Sequence, residues 1–281
     1  MINFNGTLVT QGSNILTQNR GFLYGDAVFE TVKIVNSQVL YLEDHYFRLM
    51  ASMRVVRMEI PMNFTMEYFE EQILTLTNKL GISNVARVRV TVFRNDGGYY
   101  LPIDKTVSFL IHAIALDSTL YAIDEKEYEV DLFKDFYVTK QLLSSIKSTN
   151  RLLNVTASIF ASENGLDNCL LLNDSKNVVE AIQGNIFMLV GNKLVTPPVS
   201  EGCVKGVLRK QLLKLAKTIE GLEVTEEVIS PFDLQKADEL FITNVIKGIQ
   251  PITKYRKKTF KTDLSQKLVS KLNEVVSVTF S

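Results

Sequence analysis

The sequence predicts a mixed α/β (α+β) protein of two domains. Three observations point there. The chain has 281 residues, long for one small domain and suited to two. Strand-like and helix-like patterns alternate through the first ~115 residues, and they recur in the second half. Between the halves, LDSTLYAIDEKE (116–127) is polar, acidic and without clear period. A linker is therefore placed at 118–127, between a smaller domain over 1–117 and a larger one over 128–281.

The elements follow in order. Residues 39–42 (VLYL) read as a short strand, and 44–56 place Phe47, Leu49, Met50 and Met53 at near-helical spacing. Thr65 can cap a helix running to Leu80 and stopped by Gly81, with Phe69, Ile73, Leu76 and Leu80 in one stripe. ARVRVTVFR (86–94) alternates with period two: Arg87 and Arg89 share one face and Arg94 takes the other. TVSFLIHAIAL (106–116) is a more apolar strand. The second half opens with a strand near 128–138. Ser148 or Thr149 can cap a helix from about 150 to 163, ended by Gly165, which puts Lys147 in the turn before it. Strands joined by turns at 174–177 and 191–192 follow. An amphipathic helix over 205–219, a strand ending at 241–244 and a helix over 263–277 complete the chain.

Composition narrows the function classes. Hydrophobic residues make up 46% and charged residues 22%, as in ordinary soluble proteins. Lys+Arg and Asp+Glu balance at 31 each, so there is no electrostatic footprint for nucleic acid or an anionic membrane. No apolar run approaches the ~20 residues of a membrane helix. The start, MINFNGTLV, lacks a basic region followed by an apolar block, so no signal peptide is expected. Cys169 and Cys203 are too few and too far apart for a disulfide framework or metal cluster, and both sit in apolar company. With only His45 and His112, neither a histidine metal site nor a Ser-His-Asp triad is expected. A reducing, cytoplasmic setting fits.

Singly, the polar candidates are bland. Lys147 reads as a solvated lysine, Glu180 as a strand's solvent-facing residue, Arg48 as a helix-surface residue, and 206–209 as a helix start. Their order is not bland. RGFLYGDAVFETVK (20–33), HYFRL (45–49), IKSTNRL (146–152), VVEAIQGNIF (178–187), LVTPPVSEGCVKGVLR (194–209) and DELFITN…IQPI (238–252) together resemble the class IV, or fold-type IV, aminotransferase family. That family of pyridoxal 5′-phosphate enzymes includes branched-chain and D-amino-acid aminotransferases and aminodeoxychorismate lyases. The resemblance implies a small N-terminal α+β domain, a larger C-terminal pseudo-barrel domain, and a homodimer.

The resemblance also implies roles. Lys147 matches the lysine that carries the cofactor and then serves as base. Glu180 matches the acid that faces the pyridine nitrogen. Arg48 matches the phosphate arginine, whose planar fork suits bidentate contact. The N–H groups of Val207 and Leu208 would form an anion site at a helix N-terminus. Asn185 and Asn244 match positions near the cofactor. Tyr24 and Phe29 fall in the piece that walls the substrate pocket. Arg89, Arg94 and Lys247 are candidates for substrate carboxylates, although Arg89 and Arg94 cannot both point inward from a regular strand. Three departures stand out: Leu208 and Val245 replace threonines common in aminotransferases, and Leu166 replaces a frequent tyrosine.

Two pieces lean toward aminodeoxychorismate lyase. KSTNRL resembles its Lys, two residues, Asn-Arg-Leu pattern, and FITNVIKGIQPI resembles its Thr-Asn…Gly-Ile-x-Pro form. A bulky apolar residue at Leu208 is also tolerated there. The expected activity is release of 4-aminobenzoate and pyruvate, a folate-pathway step. The alternatives are a transaminase for branched-chain or related amino acids with 2-oxoglutarate and, more remotely, a non-catalytic cofactor-binding protein. No metal and no partner beyond the small substrate and a second copy are expected.

Overall fold

Alternating apolar residues on three long strands build the first sheet. In this computed structural model, residues 1–9 and 18–279 are described. Strands β1 (Ile2–Phe4), β2 (Thr7–Val9), β3 (Ala27–Val35), β4 (Gln38–Val39), β5 (Val85–Arg94) and β6 (Val107–Ala115) are antiparallel neighbours in the order β2-β1-β6-β5-β3-β4. Helices α1 (Arg20–Tyr24), α2 (Leu42–Val55) and α3 (Met66–Lys79) belong to the same unit. The period-two register sends Val28, Val32, Val88, Val90, Val92 and Ile111 to one face. There they pack with Leu49 and Met53 of α2 and with Phe69, Ile73 and Leu76 of α3. As expected, Thr65 caps α3, its hydroxyl accepting from the Tyr68 N–H. The strand expected over 39–42 stops at Val39, because Tyr41 turns into the left-handed region (φ 56°) and begins α2.

This first unit comprises Met1–Thr119 and also Ile146–Asn150. The second comprises Leu120–Ser145 and Arg151–Thr279. A cut near 118–127 with everything after 128 in one domain therefore misses the return of 146–150. Ser148 and Thr149 do not cap a helix. Their segment lies extended along β3: the Phe29 N–H donates to the Lys147 carbonyl at 2.8 Å and the Thr149 N–H to the Ala27 carbonyl at 3.0 Å. Val28 and Ser148 form the bridge between them.

The second unit holds helices α4 (Leu142–Ser145), α5 (Leu152–Glu163), α6 (Val207–Ala216) and α7 (Asp263–Thr279). Its strands are β7 (Glu129–Val138), β8 (Asn168–Asn173), β9 (Val178–Ala181), β10 (Gly184–Val190), β11 (Lys193–Thr196), β12 (Glu223–Glu226), β13 (Glu239–Asn244), β14 (Gly248–Ile252), β15 (Lys254–Tyr255) and β16 (Lys258–Thr259). The sheet branches at β10, which pairs with β9, β11 and β13. Its strands β8 and β9 are buried on both sides, and the sheet feeds two cores. One holds Leu170, Ile186, Leu240 and Tyr255; the other holds Phe133, Ala157, Leu171 and Val179. Among the described residues, no helix is long and apolar enough to cross a membrane, and no group of three or more His, Cys, Asp or Glu could hold a metal ion.

Candidate active site

In the first unit, the polar candidates lie on the two faces of β3. Phe29 and Lys147 are paired across the strand edge, so their side chains share the face opposite α2 and α3. The Lys147 Nζ lies 4.5 Å from the Phe29 ring centroid. The Arg89 guanidinium lies 3.6 Å from the same centroid, and its Nε donates to the Thr91 hydroxyl at 3.2 Å. A reactive amine and a cation thus share one aromatic ring. Phe29 itself is buried and Lys147 half-buried.

The opposite face of β3 carries a group that sequence reasoning missed. Glu30 is fully buried and accepts from Arg48 Nε at 2.7 Å, from Arg48 Nη2 at 2.6 Å and from His45 Nδ1 at 2.7 Å. His45 and Arg48 are three apart on α2, so both reach the same strand residue. Arg48 and His45 together outweigh the burial of the Glu30 carboxyl and hold its pKa down at about 2. Burial lowers the pKa of His45, whose Nδ1 lies in hydrogen-bond contact with Glu30, and its buried Nε2 has no hydrogen-bond partner among the described residues. The arrangement corrects one expectation. The Nε/Nη2 edge of Arg48 is already in a bidentate pair with Glu30, so a phosphate would meet another part of the guanidinium. A signal was available: an acid between Val28 and Val32 on the apolar face of a strand, followed by His-x-x-Arg on a helix.

Arg94 is also corrected. It is buried, paired with Asp26 at 2.9 Å, and donates to the carbonyls of Val56 at 2.6 Å and Arg57 at 3.0 Å. Asp26 also receives Arg20 at 3.0 Å, whose Nη1 ties down the carbonyls of Gly97, Gly98 and Tyr99. These arginines hold loops rather than substrate. Tyr24 is partly exposed, packs on Tyr100 and lies under Arg20. Between α1 and β3, Gly25 is left-handed (φ 63°), and a Cβ there would come within 2.2 Å of Asn150 Oδ1.

In the second unit, Glu180 and Asn185 are cross-strand partners on β9 and β10. Both are buried, and they clamp the same residue. Glu180 Oε2 accepts from the Val204 N–H at 2.9 Å, and Asn185 Nδ2 donates to the Val204 carbonyl at 2.8 Å. The clamp fixes the approach to α6, whose N-cap is Gly206 with no side-chain cap. A Cβ on Gly206 would come within 2.0 Å of Asn185 Oδ1, so only glycine lets this helix start where it does. Val207 and Leu208 open α6, which begins at Val207 rather than Lys205. Asn244 does something unforeseen: its Oδ1 accepts from the N–H groups of Ile246 at 3.1 Å and Lys247 at 2.9 Å, closing the turn between β13 and β14. Lys247 is exposed on that turn. Cys169 and Cys203 are buried, and burial pushes their thiols up to about 11 and about 12.

The model of the Amino-transferase class IV family matches residues 27–255. This chain belongs to that family. A protein of Methanocaldococcus jannaschii named as a branched-chain-amino-acid aminotransferase is 32% identical over 276 residues, 97% of this chain and 94% of its own. The branched-chain aminotransferase of Thermoproteus uzoniensis has the same fold, with a TM-score of 0.88 at 22% identity over 98% of this chain and 94% of its own. The 4-amino-4-deoxychorismate lyase of Pseudomonas aeruginosa gives 0.83 at 23% identity over 98% of both chains. The fold is thus fold-type IV, and the cofactor is pyridoxal phosphate. The residues present fit that group: an amine on Lys147, a buried carboxylate on Glu180, and an α6 N-terminus whose amides take no side-chain cap.

Proposed function

We propose that this protein is a 4-amino-4-deoxychorismate lyase that releases 4-aminobenzoate and pyruvate. The observation that carries the reading is the shared ring of Phe29, with the Lys147 amine and the Arg89 guanidinium both against it. A substrate whose amine-bearing carbon lies beside Lys147 then meets a cation for a carboxylate. The Lys147-Ser-Thr-Asn150-Arg151-Leu152 and Thr243-Asn244 pieces add weight. Asn150 Nδ2 donates to the Gly25 carbonyl, and Asn244 builds the β13–β14 turn, so both asparagines have a structural use.

When bound, pyridoxal phosphate supplies an electron sink in its pyridine ring. The chain's residues do the rest. The Lys147 Nζ takes the proton from the amine-bearing ring carbon. Glu180, which accepts from the Val204 N–H, would hold a proton at the pyridine nitrogen. In the first unit Arg48 would be a phosphate-binding group, and in the second the first-turn amides of α6 would be another. Arg89 orients a substrate carboxylate. The C–O bond to the enolpyruvyl group would then break, the proton held on Lys147 would return to that fragment so that it leaves as pyruvate, and the aromatic ring left behind supplies driving force.

The test is release of 4-aminobenzoate and pyruvate from freshly made aminodeoxychorismate. Equal release, abolished together with the cofactor absorbance band in Lys147→Ala, supports the lyase. A retained band and retained turnover in that variant would sink it. The second reading, a transaminase for branched-chain amino acids with 2-oxoglutarate, is favoured by the relative at 32% identity. Amino-group transfer without 4-aminobenzoate release would select it. Bound cofactor with neither activity would select a non-catalytic carrier. We also propose a homodimer, tested by light scattering coupled to gel filtration.

A further inference from the structure

The face of the first unit's sheet opposite α2 and α3 has an uneven charge. On β3 it carries Phe29, Thr31 and Lys33; on β5, Arg87, Arg89 and Thr91; on β6, Leu110, His112 and Ile114. Lys147 adds to it beside Phe29. No acid stands on this face of the three strands, because Glu30 points to the other side. The cations are ordered. Moving along β3 away from Lys147, the first cross-strand pair is Thr31–Arg89 and the next is Lys33–Arg87. His112 lies directly across from Arg89. Residues two apart on a strand are separated by about 7 Å, and opposed residues by about 5 Å.

Lys33 and Arg87 are directly opposite, so two cations stand side by side on this face. Lys33 is buried, and burial brings its amine down to about 8. Arg87 is half-buried, with no carboxylate in salt-bridge reach among the described residues. We propose that Arg87, flanked by Lys33 and His112, forms a second anion subsite one strand step beyond Arg89, so that the substrate carries two anionic groups in line with the reacting amine. This deepens the reading above and rests on it: Arg89 takes the nearer carboxylate and Arg87 the farther. It also replaces Arg94, which the fold uses elsewhere.

The probes are glutarate, with two carboxylates, and butyrate, with one. Each is titrated calorimetrically into the cofactor-saturated protein, with cofactor absorbance and far-ultraviolet dichroism as folding controls. Glutarate is expected to bind at least tenfold more tightly than butyrate. Arg87→Gln should abolish that preference while leaving butyrate affinity within twofold, and Arg87→Lys should keep most of it. Equal affinities in the unaltered protein, or a preference that survives in folded Arg87→Gln, would overturn the subsite. The Lys147→Ala spectrum decides the functional reading separately, so a lost absorbance band with no dicarboxylate preference defeats this proposal alone.

Discussion

Replacing Glu30 with glutamine tests whether the buried Glu30–Arg48–His45 group holds the first unit together. The carboxyl is fully buried, accepts three hydrogen bonds of 2.6–2.7 Å, and has its pKa held at about 2 against an ordinary 4.5. That interval corresponds to about 3 kcal/mol of stability at neutral pH. The folded-state value is depressed, so the contribution is complete above the unfolded value near 4.5 and drains away as pH falls toward 2. By pH 3 less than half remains. Glutamine removes the charge and leaves the Arg48 guanidinium, 12% exposed, without its counter-charge. Breaking a buried pair in this way typically costs 3–5 kcal/mol, and the partial exposure of Arg48 favours the low end, about 3. Urea unfolding of both proteins at pH 7 and pH 3 reads the effect. The variant should be less stable by about 3 kcal/mol at pH 7, and the gap should shrink by half or more at pH 3. Equal stability at pH 7, or a gap that does not change with pH, would refute the reasoning.

Arg94→Leu should lower stability by about 3–5 kcal/mol through loss of the Asp26 pair and two carbonyl contacts, and should leave KM for the substrate unchanged; a raised KM in a stable variant would return Arg94 to the substrate pocket. Gly206→Ala should push Asn185 off the Val204 carbonyl and weaken pyridoxal phosphate binding about tenfold, as measured by absorbance titration, since one lost hydrogen bond is worth about 1.5 kcal/mol; unchanged affinity would show that the clamp does not set the α6 N-terminus. Neither Cys169 nor Cys203 should react with a chromogenic disulfide reagent at pH 7.5 in the folded protein, and both should react in urea, because burial raises both thiols well above that pH; a fast native thiol would contradict the burial.

Local signals in the sequence located most elements. The alternation of 86–94 gave β5 and its two faces, and Thr65 with Gly81 bracketed α3, because period and caps are local properties. What failed was set by distant contacts. Ser148 and Thr149 look like helix caps, but β3 offers an edge for their backbone about 120 residues away in sequence, and α5 waits until Leu152. Arg94 looked like a ligand for carboxylates, since no pattern announces that Asp26 and two carbonyls surround it. Glu30 was overlooked because an acid on an apolar strand face is legible only as an oddity. Lys147, Glu180 and Arg48 were legible through collinear motifs rather than through their own surroundings, which only the fold supplies.

The pairing of Lys147 with Phe29 has a kinetic side. The first unit's sheet keeps an open edge along Ala27–Phe29 until Ile146–Asn150 arrives, and closing a loop of that length carries an entropic cost that grows only as its logarithm. During synthesis, the ribosome must deliver Leu120–Ser145 of the second unit before Ile146–Asn150 can complete that edge. A chain truncated at 119 would expose that edge to whatever strand came near. Lys147, the lysine proposed to carry the chemistry, thus lies in the last described segment added to the first unit, and its ordering reports that this segment has docked.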